Sequence, residues 1–167
     1  MRDRAILSTL LFHGLRREEL CLLKVRDIHE RRGVKHLRIH GKGGKLRYVP
    51  LHPGTQDRIN EYLALSGHGD NAAGALFRPV TNNVNGSLAD AITASGVYQL
   101  VRTYARESGF DIGVHALRAT AATSALDHES DIAKVQGWLG HASIATTKIY
   151  DRRKTWPEDS PTFKVSY

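Results

Sequence analysis

The sequence lacks the features of a secreted, membrane-spanning or disulfide-stabilised protein. Its one cysteine, Cys21, cannot form an intrachain disulfide, which is typical of a reducing compartment, and we expect a cytoplasmic location. No run of about 18 apolar residues occurs, so the sequence predicts neither a transmembrane helix nor a membrane partner. The apolar block near the N-terminus follows Arg2 and Arg4, and no small-residue cleavage site comes after it, which argues against a signal peptide.

Common metal and nucleotide motifs are also missing. The chain has nine histidines but no H-E-x-x-H pattern and no close His/Cys/Asp cluster, so we predict no metal site. The glycine-rich stretch HGKGGK, residues 40–45, lacks the G-x-x-x-x-G-K-[ST] pattern of a P-loop and lies between predicted strands. Apart from His115 and His141, the histidines look scattered: His13, His29, His36, His40, His52, His68 and His128.

The charge balance is basic. The chain carries 24 Lys and Arg against 17 Asp and Glu, a formal net charge of +7. An excess of this sign favours a polyanionic partner, and nucleic acid before a membrane surface. The alternative, on charge alone, is a basic protein that is merely soluble.

The 167 residues suit one domain with a short tail. Two β-like runs around the glycine turn predict a hairpin within 36–51. The turn-rich segment 67–87, with one apolar island at 75–77, is predicted to be a surface connection. In the tail after Asp151, two prolines prevent a single helix, whereas the closing 163–167 has strand character. Hydrophobic periodicity and capping residues predict helices over 3–12, 17–23, 53–66, 95–107, 115–126, 129–138 and 143–150. The predicted fold class is mostly α with a small antiparallel β-sheet, that is, α+β.

The stretch LGHASIATTKIY, residues 139–150, places His141 nine residues before Tyr150. In one continuous helix, nine steps of about 100° would turn the two side chains to opposite faces. Ser143 is a good N-cap, which predicts that His141 lies in the turn before a short helix and Tyr150 at or beyond its far end. We expect that other elements must come between them for the two to form one site. Taken alone, the pair is more simply a packed tyrosine and a histidine near a cap.

Three further stretches carry candidate residues. In HALR, His115 and Arg118 are three apart on one helix face, where an imidazole and a guanidinium side by side indicate a shared anion such as phosphate. In HGLRREEL, Arg16 follows a glycine turn at a helix start, where anions are favoured, and Glu19 is positioned to return to it. The neighbouring Arg17 is an alternative to Arg16, and one of the two is expected to be solvated.

The hairpin turn contributes Lys42, which lies on a tip that can enter a cleft and deliver a proton. Most lysines in such turns remain solvated. Together with the arginines and histidines, however, it completes a set that can bind and cleave a phosphodiester without a metal. In that scheme Lys42 protonates the leaving oxygen and Tyr150 attacks. A tyrosine has an ordinary pKa near 10, so Tyr150 needs cationic neighbours or a base.

These stretches resemble the active-site boxes of the tyrosine recombinases, also called phage-type integrases, from about residue 5 to 150. HGLRREEL resembles the first-arginine box and selects Arg16 over Arg17; GKGGKLRYVPL resembles the lysine box and selects Lys42 over Lys45. HALRATAAT and LGHASIATTKIY resemble the two remaining boxes, which end at the nucleophilic tyrosine. Four boxes in order, with matching internal spacings, are a specific signal.

The resemblance implies a site-specific recombinase or integrase that acts on double-stranded DNA through a covalent 3′-phosphotyrosine, with no metal or nucleotide cofactor. It implies a tetramer on two duplexes and a catalytic domain over 1–150. The tail over 151–167 is then a segment that docks on another subunit or packs on its own. Family members usually carry an N-terminal DNA-binding domain, and this chain starts almost at the first catalytic helix, so we expect that domain to be absent from it. The competing interpretations are DNA relaxation by a type IB topoisomerase and a non-catalytic basic DNA-binding module.

Overall fold

The computed structural model describes residues 1–81, 86–153 and Thr162, and of Lys42 only the backbone. In these residues the helices are α1 (Arg2–His13), α2 (Arg17–Leu22), α3 (Pro53–Ser66), α4 (Ala94–Glu107), α5 (Val114–Asp127), α6 (Ile132–Leu139) and α7 (Ile144–Lys148). The strands are β1 (Ile28–Arg31), β2 (Val34–His40) and β3 (Leu46–Pro50). They form one antiparallel sheet in the order β1-β2-β3. Short 3₁₀ turns cover Val25–Asp27 and Lys42–Gly44.

The main core surrounds α1, which packs between α3 and α5. Ile6 and Leu10 of α1 are fully buried, because the helix has neighbours on two sides. The inner face of the sheet adds Leu37 and Ile39 from β2 and Val49 from β3. The alternation along β2 follows from the two-residue repeat of a strand, which turns every second side chain inward.

A second, smaller core holds the C-terminal helices together. Ala122 and Leu126 of α5 pack against Val135 and Leu139 of α6, and Tyr150 packs against this cluster. The small residues along α5 allow this close approach. The cluster therefore fixes the position of Tyr150 relative to the helix that carries His115 and Arg118.

The predicted fold class is confirmed: the described chain is mainly helical with one small antiparallel sheet. Each predicted helix is present, with bounds that shift by a few residues. The largest difference is at 129–138, where Asp131 caps α6 and the helix begins only at Ile132. The helix predicted over 143–150 ends at Lys148, so Tyr150 lies beyond it. None of the described helices is long and apolar enough to span a bilayer.

Two predictions about the strands and loops were wrong or incomplete. The predicted hairpin is the β2–β3 pair, but β1 adds a third strand that the sequence pattern did not reveal. The apolar island 75–77 was assigned to a surface connection, whereas Leu76 and Phe77 are buried in the main core. Their burial follows from backbone pairing between Lys24 and Ala75, which draws this loop onto the core. The predicted strand at 163–167 lies outside the described residues.

Candidate active site

A cleft of about 480 Å³ opens between the α1–α2 junction, the start of α5 and the α6–α7 turn. It gathers side chains that are far apart in the sequence. The polar residues that line it are Arg16, Arg17, Glu18, Tyr98, His115, Arg118, His141, Thr146 and Tyr150. Five of the seven residues named as candidates from the sequence are among them: Arg16, His115, Arg118, His141 and Tyr150.

Arg118 forms the floor of the cleft and is only 3% exposed. Its guanidinium donates to the carbonyl oxygen of Gly14 and, over 2.8 Å, to that of Leu139. These carbonyls end α1 and α6, so Arg118 joins three helices. Both partners are neutral, and no described carboxylate forms an ion pair with Arg118. Burial, together with the positive charge of Arg16, lowers the pKa of Arg118 to about 10, which leaves it charged at neutral pH.

Gly14 makes this arrangement possible. It ends α1 in the left-handed conformation, with φ of 56°, which a glycine adopts without strain. A Cβ atom there would also lie 2.7 Å from Leu139 Cδ2, closer than real contacts allow. A larger residue would therefore be strained by this backbone conformation and would press on the Leu139 side chain, at two positions whose carbonyls hold Arg118.

Arg16 precedes the first turn of α2 and is partly exposed towards the cleft. As the sequence indicated, Glu19 pairs with Arg16. The Glu19 carboxylate accepts hydrogen bonds from the Arg16 backbone N–H over 2.9 Å and from the Arg16 guanidinium over 2.8 Å. The neighbouring Arg17 pairs with the exposed Glu18 over 2.7 Å and is itself exposed. Arg16 thus has a buried partner that fixes its direction, whereas Arg17 has none of this kind.

Arg47 is the main residue that the sequence analysis missed. Its guanidinium makes two parallel hydrogen bonds of 2.8 Å to Glu19 and a third, of 3.0 Å, to the carbonyl of Trp138. It joins β3 to α2 and α6, beside the turn that carries His141. Burial favours protonation of Glu19, but the bonds from Arg47 and Arg16 outweigh it and lower the Glu19 pKa. The feature of the sequence that could have identified Arg47 is its place in the strand after the lysine turn, at an inward-facing position.

His141 and Tyr150 meet across the short helix α7. Their rings stack with centroids 6.0 Å apart and planes 24° apart. Ser143 caps α7 by accepting the Ala145 N–H, as predicted. The expectation that other elements must come between the two residues was wrong. Because α7 has only five residues, the chain returns on itself and brings the two rings into direct contact.

The surroundings of His141 lower its pKa to about 4. Burial is the largest cause, and the positive charges of Arg118, Arg16 and Arg47 act in the same direction. His141 is therefore neutral at neutral pH. Its Nδ1 lies 2.9 Å from the hydroxyl oxygen of Thr147, a second residue that the sequence analysis did not single out.

The last two candidates lie at the edges of the site. His115, in the first turn of α5, is exposed and lines the cleft one turn above Arg118. The backbone of Lys42 lies in the turn between β2 and β3. Its neighbours Gly41 and Lys45 line a second cleft of about 540 Å³, which shares Arg16 and His141 with the first. Among the residues with described positions, no three His, Cys, Asp or Glu side chains are grouped as metal ligands.

Comparison with known sequences gives one consistent result. Residues 1–155 match the Phage integrase family. Tyrosine recombinase XerC of Pelobacter propionicus is 41% identical over 152 residues, which cover 90% of this chain and 47% of that protein. Tyrosine recombinase XerA of Pyrococcus furiosus is 34% identical over 152 residues, 91% of this chain and 50% of that protein. The chain thus spans about half the length of these relatives.

Solved structures agree with the sequences. The crystal structure of XerA recombinase matches with a TM-score of 0.74 and 31% identity, over 92% of this chain and 54% of that one. XerH site-specific recombinase, bound to palindromic difH substrate in a post-cleavage complex, matches with a TM-score of 0.72 and 29% identity. That match covers 90% of this chain and 43% of XerH. The chain belongs to the Phage integrase family, the family of the tyrosine recombinases.

Proposed function

We propose that this chain supplies the catalytic domain of a site-specific DNA recombinase, which cuts and rejoins strands through a covalent link to Tyr150. One observation carries the proposal. Arg16, His115, Arg118, His141 and Tyr150, from separate parts of the chain, line one cleft. A protein that only binds DNA has no need to place a tyrosine in one cleft with a neutral histidine and an arginine that no described carboxylate neutralises. The alternative of a simple basic module is therefore not favoured.

The reaction is a transesterification at one DNA phosphate. The Tyr150 hydroxyl oxygen forms a bond to phosphorus, and the bond from phosphorus to the 5′ oxygen of the next nucleotide breaks. The tyrosine loses its proton, and the leaving 5′ oxygen gains one to become a free hydroxyl. Attack by a 5′ hydroxyl on the phosphotyrosine reverses these steps and reseals a strand. The number of phosphate ester bonds is conserved, so no nucleotide cofactor is required.

The arginines stabilise the charge that develops on the phosphate. Two carbonyls hold the Arg118 guanidinium, and no carboxylate at a described position neutralises it, so its charge is available to an anion. Arg16 shares Glu19 with Arg47 and is partly exposed to the same space. Preorganised donors of this kind typically account for about 10²–10³ in rate each. His115 and His141 supply further donors to the phosphate oxygens.

Lys42 is our candidate for the proton donor to the leaving 5′ oxygen. Its turn follows β2 directly, and the adjoining Gly41 lines the cleft that shares Arg16 and His141 with the first. A lysine on such a turn approaches the leaving group as DNA enters. The role is supported by the position of the backbone and by the resemblance of the surrounding sequence to the lysine box.

The proposed partner is double-stranded DNA. The net charge of +7 favours a polyanion, and the XerH relative was solved bound to palindromic difH substrate. We extend the proposal to a tetramer on two duplexes, with residues 1–150 as the catalytic domain. The tail over 151–167 would dock between subunits, and deletion of 157–167 would alter assembly or activity if it does. The parts of the tail that would make such contacts lie outside the described residues.

A covalent trap tests the proposal. The protein is incubated in EDTA with a pool of nicked duplexes of random sequence, denatured, and separated on a gel that resolves protein-linked DNA. We expect an adduct from the wild type and none from Tyr150→Phe, which loses only the hydroxyl and should bind DNA about equally well. Tyr104→Phe is the matched control, because that hydroxyl lies outside the cleft and contacts Asp3.

Three outcomes are informative. An adduct that Tyr104→Phe retains and Tyr150→Phe loses supports tyrosine chemistry at Tyr150. An adduct that persists in Tyr150→Phe means that the nucleophile is a different residue. Retarded DNA with no adduct from any form favours a binding module instead of an enzyme.

A further inference from the structure

Thr147 lies between the two residues of the stacked pair and contacts both. It belongs to α7 and is completely buried, with 0% exposure. Its hydroxyl oxygen lies 2.9 Å from Nδ1 of His141. Its backbone carbonyl accepts the N–H of Tyr150 over 3.0 Å. Thr147 thus contacts the histidine ring through its side chain and the tyrosine backbone through its own backbone carbonyl.

The burial of Thr147 decides the direction of the hydrogen bond. A hydroxyl carries one hydrogen, which must be donated to a partner if the group is removed from water. Over the described ranges 1–81 and 86–153, the partner of this hydroxyl is His141 Nδ1. If Nδ1 carried the proton, the hydroxyl hydrogen would be buried without an acceptor, which is costly. The Thr147 hydroxyl therefore donates, and Nδ1 accepts.

The position of the imidazole proton follows from this bond. The cleft holds His141 in its neutral form at neutral pH, through burial and the charges of nearby arginines. A neutral imidazole carries one proton, on Nδ1 or on Nε2. Since Nδ1 accepts from Thr147, the proton is on Nε2.

We propose that Thr147 is a positioning residue that holds His141 in the Nε2–H tautomer, so that the ring presents a hydrogen-bond donor to an anionic phosphate oxygen. This inference rests on the proposed function of the cleft. The same tautomer also excludes His141 as the base that accepts the Tyr150 proton. With Nε2 protonated, that nitrogen cannot accept the proton that Tyr150 loses, so the base for Tyr150 is another group or solvent.

Nuclear magnetic resonance of protein labelled with ¹⁵N-histidine tests the tautomer without DNA. The His141 signals are assigned as those that vanish in His141→Gln. We expect the wild type to show an unprotonated Nδ1 and a protonated Nε2. Thr147→Val keeps the shape but removes the donor, and should shift His141 towards the Nδ1–H form. Thr147→Ser keeps the hydroxyl and should retain the wild-type pattern.

The same variants separate positioning from simple packing. In the covalent trap, Thr147→Val should form adduct about tenfold more slowly, the effect of one lost hydrogen bond, and Thr147→Ser should stay within about twofold of the wild type. A wild-type spectrum with protonated Nδ1 would overturn the inference, and this result requires only that the His141→Gln variant used for the assignment folds. So would a Thr147→Val spectrum identical to that of the wild type. If the wild type forms no adduct, the proposed function fails, whereas the spectra still decide the tautomer.

Discussion

Arg47 and Arg118 line two adjoining clefts that share Arg16 and His141, but the two arginines have opposite electrostatic surroundings. The Arg47 side chain is 13% exposed and makes two bonds to the carboxylate of Glu19, which is itself 4% exposed. Arg118 is more deeply buried, and its hydrogen-bond partners among the described residues are two backbone carbonyls. Within the described part of the chain, a carboxylate therefore neutralises Arg47 but not Arg118.

The difference shows that two arginines of one region can contribute positive charge in different ways. A buried arginine paired with a carboxylate fixes the geometry of its neighbours but offers little attraction to a ligand. A buried arginine bonded to neutral carbonyls is also fixed in place, and in the proposed function its charge is available to an anion. Burial of this charge costs free energy, as the lowered pKa of Arg118 indicates, and we expect a bound phosphate to offset that cost.

The largest expected effect is a difference in the rate of adduct formation between substitutions of the two arginines. Arg118→Lys should slow adduct formation by about 10²–10³, because an ammonium cannot bond both carbonyls and also present two donors to a phosphate. Arg47→Lys, the matched control, should cost about tenfold, since it disturbs positions without removing charge from the phosphate. The measurement is the rate of covalent adduct formation at saturating DNA. Equal losses in the two variants would contradict the division of roles.

The second prediction concerns stability. Arg47→Met leaves the buried Glu19 carboxylate without its main partner, and should lower the free energy of unfolding by about 3 kcal/mol, as expected for a broken buried pair. Glu19→Gln in the same chain should recover part of this loss, because the uncharged amide can still accept the Arg16 N–H. Urea denaturation measures both. If the double variant is no more stable than Arg47→Met, the bond from Arg47 to the Trp138 carbonyl is the dominant contribution.

The smallest effect is the pH dependence of stability. The pKa values of His141 and of the buried His13 fall to about 4 in the folded protein, from an ordinary value of 6.5. Between these values the unfolded chain binds more protons than the folded one, so stability should decrease as pH falls from 6.5 towards 4. Glu19, whose pKa is lowered from an ordinary value of 4.5, keeps its full contribution above about that pH and loses it as the pH falls further.

Urea midpoints at pH 7.5 and 5.0 measure this dependence. We expect a lower midpoint at pH 5.0, and a smaller difference in His141→Gln, which removes one of the two groups. His128→Gln, at an exposed position, should behave like the wild type. A wild-type midpoint that stays constant across this range would show that the cleft does not disfavour a protonated His141.

Local signals in the sequence were sufficient for most elements of the fold. Pro53 and the residues after it predicted α3 with its observed bounds, and Ser143 predicted the start of α7, because caps and turns depend on neighbouring residues. The strand β1 was missed because it is four residues long and only partly buried. The burial of Leu76 and Phe77 was missed because it depends on pairing with Lys24, about 50 residues away in the chain, and backbone pairing leaves no local pattern.

Sequence motifs alone predicted most of the polar residues that line the cleft, their order along the chain, and the family that they resemble, but not Arg47 or Thr147. Motifs of a few residues sufficed for this, since helix caps, turns and i,i+3 neighbours are local. Tertiary contacts were needed to show that Glu19 bonds two arginines, that no carboxylate of the described residues pairs with Arg118, and that the Thr147 hydroxyl lies beside Nδ1 of His141. These contacts join residues 3 to 104 apart in the chain, and burial together with neighbouring charges and hydrogen bonds sets their electrostatic effect.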